Sequence, residues 1–348
     1  MTCKLLHPLA WLYGGITSLR NTLYDKEIMR SSGFDIPVIN VGNLSAGGNG
    51  KTPMVEYLAA LLSPDYKVAI LSRGYGRKTK GFREVTPELS VAVCGDEPLQ
   101  VKRKFGNAVR VFVGEDRVEA ITKILFDHPD TQLIILDDAF QHRAVKAGLN
   151  LLLTSYDRLF TRDMLLPAGR LRESRAGAAR ADAIIVSKCP DSLSQKEKEQ
   201  IKAELSHFGK PVFFSRLKYG EIQPVVNTTK SVNKSYIMVT AIAKPAIMEN
   251  HATASFTLLD KLRFADHHDF SERDIKKVEE KISIFAAQNP EVLTSSKDAV
   301  RFMDFYGKRR KFYFGLNVLP VALDFIDKDK QMFKELIEDY VRKSSTNG

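Results

Sequence analysis

The stretch that decides the fold, residues 43–53, is NLSAGGNGKTP, which ends with the Gly-Lys-Thr of a phosphate-binding loop. The full pattern is G-x-x-x-x-G-K-[ST], and Ser45 stands here in place of its first glycine. An apolar run precedes the loop, and MVEYLAALL follows it with a helical pattern. This order suits a phosphate site, because a helix N-terminus offers N–H donors and partial positive charge. A glycine-rich structural turn is the alternative.

The loop residues have candidate roles in binding a nucleotide. Lys51 is expected to reach the β- and γ-phosphates, and the Thr52 hydroxyl a magnesium ion. Ala46 stands where nucleotide-driven switches carry a second lysine, and VSKCPD around Lys188 lacks the aspartate of the guanine-reading N-K-x-D motif. The sequence therefore favours ATP and argues against a switch. The predicted nucleotide-binding residues are Ser45, Ala46, Gly47, Gly48, Asn49, Gly50, Lys51 and Thr52.

Composition limits the class of protein and of partner. The chain has 348 residues, enough for two domains, with 44% apolar and 27% charged residues. Its cysteines, Cys3, Cys94 and Cys189, are far apart, so they indicate neither a zinc ribbon nor a disulfide framework, and a reducing cytosol fits best. The net charge of +10 suits nucleic acid, an anionic membrane surface or a phosphorylated small molecule. No nucleic-acid-binding motif is present, so we expect no nucleic-acid partner.

Short apolar runs alternate with helical patterns from residue 36 onward, among them KVAILS, QLIILDD and ADAIIVS. Such runs are typical of parallel strands that are covered on both faces. We predict an α/β fold with a doubly wound, mainly parallel sheet like that of P-loop NTPases, and a second, smaller α/β domain after a short linker. The predicted limits are 1–30 for an N-terminal helix, 31–220 for the phosphate-loop domain, 221–235 for the linker, 236–327 for the smaller domain, and 328–348 for a C-terminal helix and tail.

The N-terminal segment has apolar residues three or four positions apart, including Leu9, Leu12, Ile16 and Leu19. This spacing predicts one apolar face on a helix. The apolar residues alternate with polar ones, so a cleavable signal peptide is not indicated. Two alternatives remain: a helix packed on its own domain, or an interfacial helix whose apolar side chains enter a lipid headgroup layer.

Two acidic and histidine-containing stretches carry candidate chemistry. Asp137 and Asp138 end the run QLIILDD, where a carboxylate beside a phosphate loop commonly holds magnesium, although a turn or helix cap would also explain the pair. A kinase for an alcohol needs a base, and Asp96 in VCGDEP with His267 or His268 in RFADHHDF would form one. A polar loop, or a metal site, would also explain the paired histidines.

Arginine-bearing stretches follow two predicted strand ends. They are SRGYGRK, with Arg73, and PAGRLRESRAG, with Arg170 and Arg172. The planar guanidinium suits phosphate recognition, and a solvated basic surface is the alternative.

Taken together, these motifs resemble the tetraacyldisaccharide 4'-kinase family, the lipid A 4'-kinases of Gram-negative bacteria. The resemblance is carried in order by VGNLSAGGNGKTP, LSRGYGRK, GDEP, LDDAFQHR, LPAGRLRE and DHHDF, and it spans nearly the whole chain. Members of the family also lack the first loop glycine, so Ser45 agrees with it. Ala139, where glycine is more frequent, and Ser174, where proline is frequent, depart from the common pattern.

The resemblance implies transfer of the γ-phosphate of ATP, with Mg²⁺, to the 4'-hydroxyl of an acylated glucosamine disaccharide 1-phosphate. It implies a catalytic dyad of Asp96 and His267 with Lys51 on the phosphates, and it favours His267 over His268. The implied metal-site residues are Thr52, Asp137, Asp138 and Glu173, and the implied substrate or phosphate contacts are Arg73 and Arg117.

An acylated substrate also implies a membrane surface as partner, because moving acyl chains into water costs about 0.8 kcal/mol per CH₂. The resemblance therefore favours the interfacial helix and a peripheral location on the cytoplasmic face of the inner membrane. Two rival functions are a P-loop kinase for a soluble substrate and a nucleotide-gated ATPase that acts as an interaction protein.

Overall fold

The computed structural model describes residues 6–226, 234–308 and 312–345. The helices are α1 (His7–Asp25), α2 (Lys51–Leu62), α3 (Val91–Cys94), α4 (Asp96–Phe105), α5 (Arg117–Asp127), α6 (Gln195–Leu205), α7 (Pro245–Ser255), α8 (Glu272–Ile284), α9 (Ser296–Lys308) and α10 (Asp329–Ser345). The strands are β1 (Val38–Asn43), β2 (Val68–Ser72), β3 (Arg83–Glu84), β4 (Val109–Val113), β5 (Leu133–Asp137), β6 (Leu149–Ser155), β7 (Ala183–Ser187), β8 (Val212–Tyr219), β9 (Gln223–Val226), β10 (Ser235–Thr240), β11 (Thr257–Arg263), β12 (Glu291–Ser295), β13 (Leu316–Leu319) and β14 (Val321–Phe325).

The larger sheet has nine strands in the order β14-β8-β7-β6-β1-β5-β2-β4-β3. All neighbouring pairs are parallel except β14 with β8 and β3 with β4. Successive residues of a strand face opposite sides, so Ile39 and Val41 pack with α2 and α4, whereas Val38 packs with α5. Both faces are covered by helices, which confirms the predicted doubly wound fold and explains why its strands are apolar throughout.

The smaller sheet has five strands in the order β11-β10-β12-β13-β9, and only β9 runs antiparallel to its neighbour. Helices α8 and α9 cover one face through Ile275 and Phe302, and α7 covers the other through Met248. Helix α8 begins with a reciprocal cap between Ser271 and Asp274. This capping box has aspartate in place of the commoner glutamate.

The C-terminal segment differs from the expected division of the chain. Residues up to 327 were expected in the smaller domain, yet β14 pairs antiparallel with β8 in the larger sheet. Pro320 separates β13 from β14, and since proline cannot donate to a strand ladder, the chain leaves the smaller sheet there. Helix α10 then buries Phe333, Ile337 and Val341 in the core of the larger sheet. The last strand and helix therefore belong to the first structural unit.

The predicted linker also differs in part from the observed structure. Its residues Gln223–Val226 form β9 and pair with the smaller sheet, whereas residues 227–233 lie outside the described part of the chain. The chain thus crosses between the two units twice, once near residue 220 and once at Pro320.

Helix α1 packs through small and polar residues and exposes its apolar ones. Ala10 and Gly14 are buried, and the Tyr13 hydroxyl donates to the carbonyl oxygen of Arg172 at 2.8 Å. The opposite face exposes Leu9, Trp11, Leu12, Ile16 and Leu19, with Trp11 75% and Ile16 61% exposed. Within the described ranges, no helix has the length and apolar character needed to cross a membrane.

Candidate active site

The phosphate loop connects the buried end of β1 to the start of α2. Gly50 has a φ of 81°, a left-handed conformation that glycine adopts without steric cost, and the helix begins at Lys51. Ser45 forms an isolated antiparallel β-bridge with Leu171, and the Ala46 N–H donates to the carbonyl oxygen of Arg170 at 2.7 Å. The loop is thus held by a neighbouring segment where the usual pattern has its first glycine.

A second segment supports the other side of the loop. The Lys188 ammonium donates to the carbonyl oxygen of Gly48 at 2.6 Å, and the Ser187 hydroxyl donates to that of Asn49 at 2.8 Å. Burial lowers the pKa of Lys188, with the charge of Lys244 acting in the same direction. The stretch that lacks the guanine-reading motif therefore contacts the phosphate loop directly, a role that the sequence analysis missed.

The carboxylate of Asp138 pairs with two cations at the end of β5. Its Oδ1 lies 3.5 Å from Lys51 Nζ and 3.0 Å from Arg172 Nη1. Burial alone would raise the pKa of Asp138, but the charges of Lys51 and Arg172 outweigh it and lower the pKa. Asp138 thus holds the loop lysine at the position where the strand ends.

Asp137 has the opposite electrostatic character. It is buried, and in the described structure its Oδ1 has no hydrogen-bond partner. Burial, followed by the negative charges of Glu97 and Asp138, raises the pKa of Asp137 to about 7. A carboxylate with an unused oxygen beside a phosphate loop fits a hard divalent cation, which takes oxygen ligands.

Glu173, which was expected at the metal site, is buried and surrounded by hydrogen-bond donors. Its carboxylate accepts from Asn21 at 2.8 Å, from Gln141 at 3.0 Å and from Arg180 at 2.8 Å. No group of three or more His, Cys, Asp or Glu is placed to hold a metal ion within residues 6–226, 234–308 and 312–345. Asp137, Asp138 and Glu173 do not form such a group by themselves, and Glu173 connects α1 to the segment that carries Arg172 through its contact with Asn21.

The structure brings Asp96 and His267 together across the two units. Asp96 is buried at the start of α4, and its Oδ2 lies 3.1 Å from His267 Nδ1. Burial would raise the pKa of Asp96, but the hydrogen bond from His267 and the charges of Lys297 and Arg301 hold that pKa well below its usual value. An ionised carboxylate on Nδ1 leaves Nε2 as the nitrogen that accepts a proton.

His268 faces away from this pair. Its Nε2 lies 2.9 Å from Asp274 at the start of α8, and its ring stacks on Phe264 with 4.9 Å between the centroids. The two adjacent histidines therefore have separate environments, and His268 contributes to the cap and the packing of α8.

Lys297 and Arg301 are site residues that the sequence analysis missed. Lys297 Nζ lies 3.1 Å from His267 Nε2 and 3.1 Å from Glu97 Oε1. Arg301 Nη2 contacts Asp96 Oδ2 and lies 3.1 Å from His267 Nδ1. The two residues are one helical turn apart in α9, so they share a face. That spacing after a strand, in SSKDAVRF, was the available signal.

The two arginines expected near phosphate have different environments. Arg117 is buried at the start of α5, where its Nη1 contacts the carbonyl oxygen of Gly114. Burial lowers the pKa of Arg117 to about 10, while the charge of Asp137 opposes the shift. Arg73 is exposed, and its charge also acts on Arg117. Arg117 is therefore near enough to both Asp137 and Arg73 to be affected by their charges.

Comparisons with known proteins agree over nearly the whole chain. The family model described as Tetraacyldisaccharide-1-P 4'-kinase matches residues 2–342. A tetraacyldisaccharide 4'-kinase of Flavobacterium psychrophilum is 42% identical over 352 residues, covering 99% of this chain and 98% of that protein. One of Phocaeicola vulgatus is 40% identical over 356 residues, covering 99% and 96%.

A solved structure shows the same fold. The Aquifex aeolicus protein LpxK, crystallised in complex with ATP, superposes with a TM-score of 0.74 at 29% identity, covering 97% of this chain and 98% of that one. Both structural units of this chain are covered by the family model, by the alignments with the two relatives and by the superposed structure. The chain therefore belongs to the tetraacyldisaccharide 4'-kinase family.

Proposed function

We propose that this protein transfers the γ-phosphate of ATP to the 4'-hydroxyl of a tetraacyl glucosamine disaccharide 1-phosphate, which forms lipid IVA in lipid A biosynthesis. Membership of the family supports the reaction. The observation that carries it is the contact between Asp96 Oδ2 and His267 Nδ1, 3.1 Å apart. Glu97, next to Asp96 in the chain, is near enough for its charge to raise the pKa of Asp137. A general base beside a nucleotide site suits an alcohol acceptor.

The nucleotide phosphates would lie on the backbone of the loop from Ser45 to Thr52. Lys51 is the cation for the β- and γ-phosphates, and its ammonium lies 3.5 Å from Asp138 in this structure. Since Arg172 also neutralises Asp138, Lys51 can turn to a bound phosphate without leaving that carboxylate unpaired. Arg117 and Arg73 add positive charge around the transferred group.

Mg²⁺ would be held by Asp137 and by the hydroxyl of Thr52, and it would neutralise charge on the transferred phosphoryl group. The unused, buried Oδ1 of Asp137 supports this assignment. Asp138 would hold Lys51 and Arg172 beside the metal site through its two ion pairs. Glu173 would hold the segment that carries Arg172 through its hydrogen bond from Gln141.

His267 would be the general base. The substrate hydroxyl would take the position at Nε2 that the Lys297 ammonium occupies in this structure, and Nε2 would accept its proton. Asp96 holds Nδ1 and stabilises the imidazolium that forms. When the hydroxyl displaces the Lys297 ammonium from Nε2, that ammonium would still have Glu97 as its partner.

The exposed apolar face of α1 would lie in the membrane interface, at the cytoplasmic face of the inner membrane. Its packed face reaches the site, because Tyr13 contacts Arg172 and Asn21 contacts Glu173. A peripheral helix of this kind would place the site at the headgroup layer, where the 4'-hydroxyl of an anchored substrate is presented.

The deciding experiment measures ADP release with different acceptors. We expect ADP and a phosphorylated lipid in equal amounts when tetraacyl disaccharide 1-phosphate is supplied in detergent micelles, and little ADP without it. ADP release that needs no acceptor would indicate a nucleotide-gated ATPase. Equal turnover of the unacylated disaccharide 1-phosphate without detergent would indicate a kinase for a soluble substrate.

A further inference from the structure

Arg301 is a buried cation that connects the two structural units at the dyad. It lies in α9 of the second unit and is 4% exposed. Its Nη2 contacts Asp96 Oδ2 of the first unit, while its Nη1 lies 3.2 Å from Asp298 Oδ1 and 3.3 Å from the carbonyl oxygen of Ala241. The Arg301 guanidinium therefore donates to acceptors in both structural units.

The same guanidinium also supports the histidine loop. The His267 N–H donates to the carbonyl oxygen of Ala241 at 3.2 Å, and that oxygen also accepts from Arg301. His267 has a φ of 61°, in the left-handed region that residues other than glycine adopt only where their surroundings hold them. Arg301 thus holds both partners of the dyad, Asp96 through its carboxylate and His267 through the carbonyl that the two share.

We propose that Arg301 is a positioning residue, which places the carboxylate of Asp96 on Nδ1 of His267 and so assembles the general base across the two units. Arg301 Nη2 and His267 Nδ1, 3.1 Å apart, converge on Asp96 Oδ2. The planar fork is needed because Asp96 and Asp298 must be contacted at once, which a single ammonium group does poorly. The inference rests on the proposed function, in which His267 is the base.

The test compares Arg301→Gln and Arg301→Lys with the control Arg103→Gln. Arg103 of α4 also contacts α9, by donating to the carbonyl oxygen of Val300, and it donates to that of Pro87, but neither contact involves the dyad residues Asp96 and His267. We expect Arg301→Gln to lower kcat about a hundredfold with little change in KM for ATP, since a small misplacement of a catalytic group costs about that much. Arg301→Lys should lose less, and Arg103→Gln should keep its kcat.

A second readout separates positioning from general structural support. In a His267→Ala background, Arg301→Gln should lower the residual turnover no further, because the group it positions is gone. An equal loss of turnover with and without His267 would overturn the proposal. So would a folded Arg301→Lys or Arg301→Gln enzyme with the kcat of the unaltered protein.

Folding is checked by thermal unfolding of each variant. If Arg301→Gln does not fold, Arg301→Lys, which keeps the buried positive charge, decides the question by the same two readouts. Failure of the proposed function is distinguishable, because the unaltered protein would then give no acceptor-dependent ADP release at all.

Discussion

His267 and Asp138 share a backbone conformation that is uncommon for residues other than glycine. Both have positive φ values, 61° and 51°, in the left-handed region. Such conformations cost free energy, of the order of 1 kcal/mol or more, and persist where the surrounding structure holds them. Here the holding contacts are known: Ala241 for His267, and Lys51 with Arg172 for Asp138. Both strained residues lie at the proposed site, which is where backbone strain tends to be retained.

Replacing His267 by alanine tests the base assignment. We expect kcat to fall by about 10²–10⁴, the usual contribution of a general base, because the variant lacks Nε2, the nitrogen proposed to accept the hydroxyl proton. ATP affinity should remain, since the phosphate loop is untouched. The measurements are steady-state turnover and isothermal titration with ATP.

His268→Ala is the matched control, because His268 is adjacent in sequence but contacts Asp274 and Phe264. Its variant should lose some thermal stability and keep most of its turnover. If the two variants lose turnover equally, the loop as a whole matters and His267 has no special role.

At the scale of elements, α1 reverses the usual arrangement of an amphipathic helix. A helix normally buries its apolar face in the protein, whereas α1 buries Ala10, Gly14 and Tyr24 and exposes Leu9, Leu12 and Leu19. Small residues let the helix approach the segment around Leu165 closely; a Cβ added at Gly14 would lie 2.6 Å from that side chain. An exposed apolar face on a helix that is anchored by its other face is typical of a membrane-interface contact.

Replacing Leu12, Ile16 and Leu19 together by serine tests this face. We expect binding to anionic liposomes to weaken at least about tenfold, since each buried apolar side chain contributes roughly 1 kcal/mol or more. The thermal unfolding midpoint should change little, because the three side chains are exposed. Liposome co-sedimentation measures the binding.

Ile284→Ser is the control for that series, because Ile284 is also exposed, at 68%, but lies at the end of α8 in the second unit. It should bind liposomes as the unaltered protein does. Unchanged binding of the triple variant would show that α1 does not contact the membrane.

At the scale of the whole molecule, the first unit is built from both ends of the chain. Helix α2 packs against β14, and Phe325 stacks on Phe333 of α10 with 4.3 Å between the ring centroids. Tyr340 of α10 also donates to the carbonyl oxygen of Val38 at 3.1 Å, at the start of the strand that leads to the phosphate loop. The second unit is therefore an insertion between β8 and β14, and both of its connections lead into the first unit.

Phe333→Ala tests this closure of the chain. The side chain is fully buried, so we expect a loss of about 3–5 kcal/mol in the free energy of unfolding, from lost burial and a cavity. Urea denaturation measures it. Met332→Ala, at an exposed position of the same helix, should change the free energy of unfolding by no more than about 0.5 kcal/mol. A small effect of Phe333→Ala would mean that α10 is dispensable to the core.

Local pattern by itself determined the class of fold and the position of the phosphate loop. Apolar runs of strand length and the segment from Ser45 to Thr52 depend on neighbours in sequence, so they could be predicted from the chain. The ordered motifs identified the family for the same reason. Ser45, a departure from the general pattern, agrees with the family and is held by Leu171.

Tertiary structure decided the contacts between distant segments. It placed β14 and α10 on the larger sheet, gave Glu173 three hydrogen-bond donors, and added Lys297 and Arg301 to the dyad. The partners in these contacts could not be assigned from the sequence, because a buried carboxylate is satisfied by whichever donor the fold brings to it, and that donor can come from any part of the chain. Motifs in the sequence identified Asp96 and His267 as candidates. Only the tertiary structure, in which α4 packs against α9, brings Asp96 Oδ2 within 3.1 Å of His267 Nδ1.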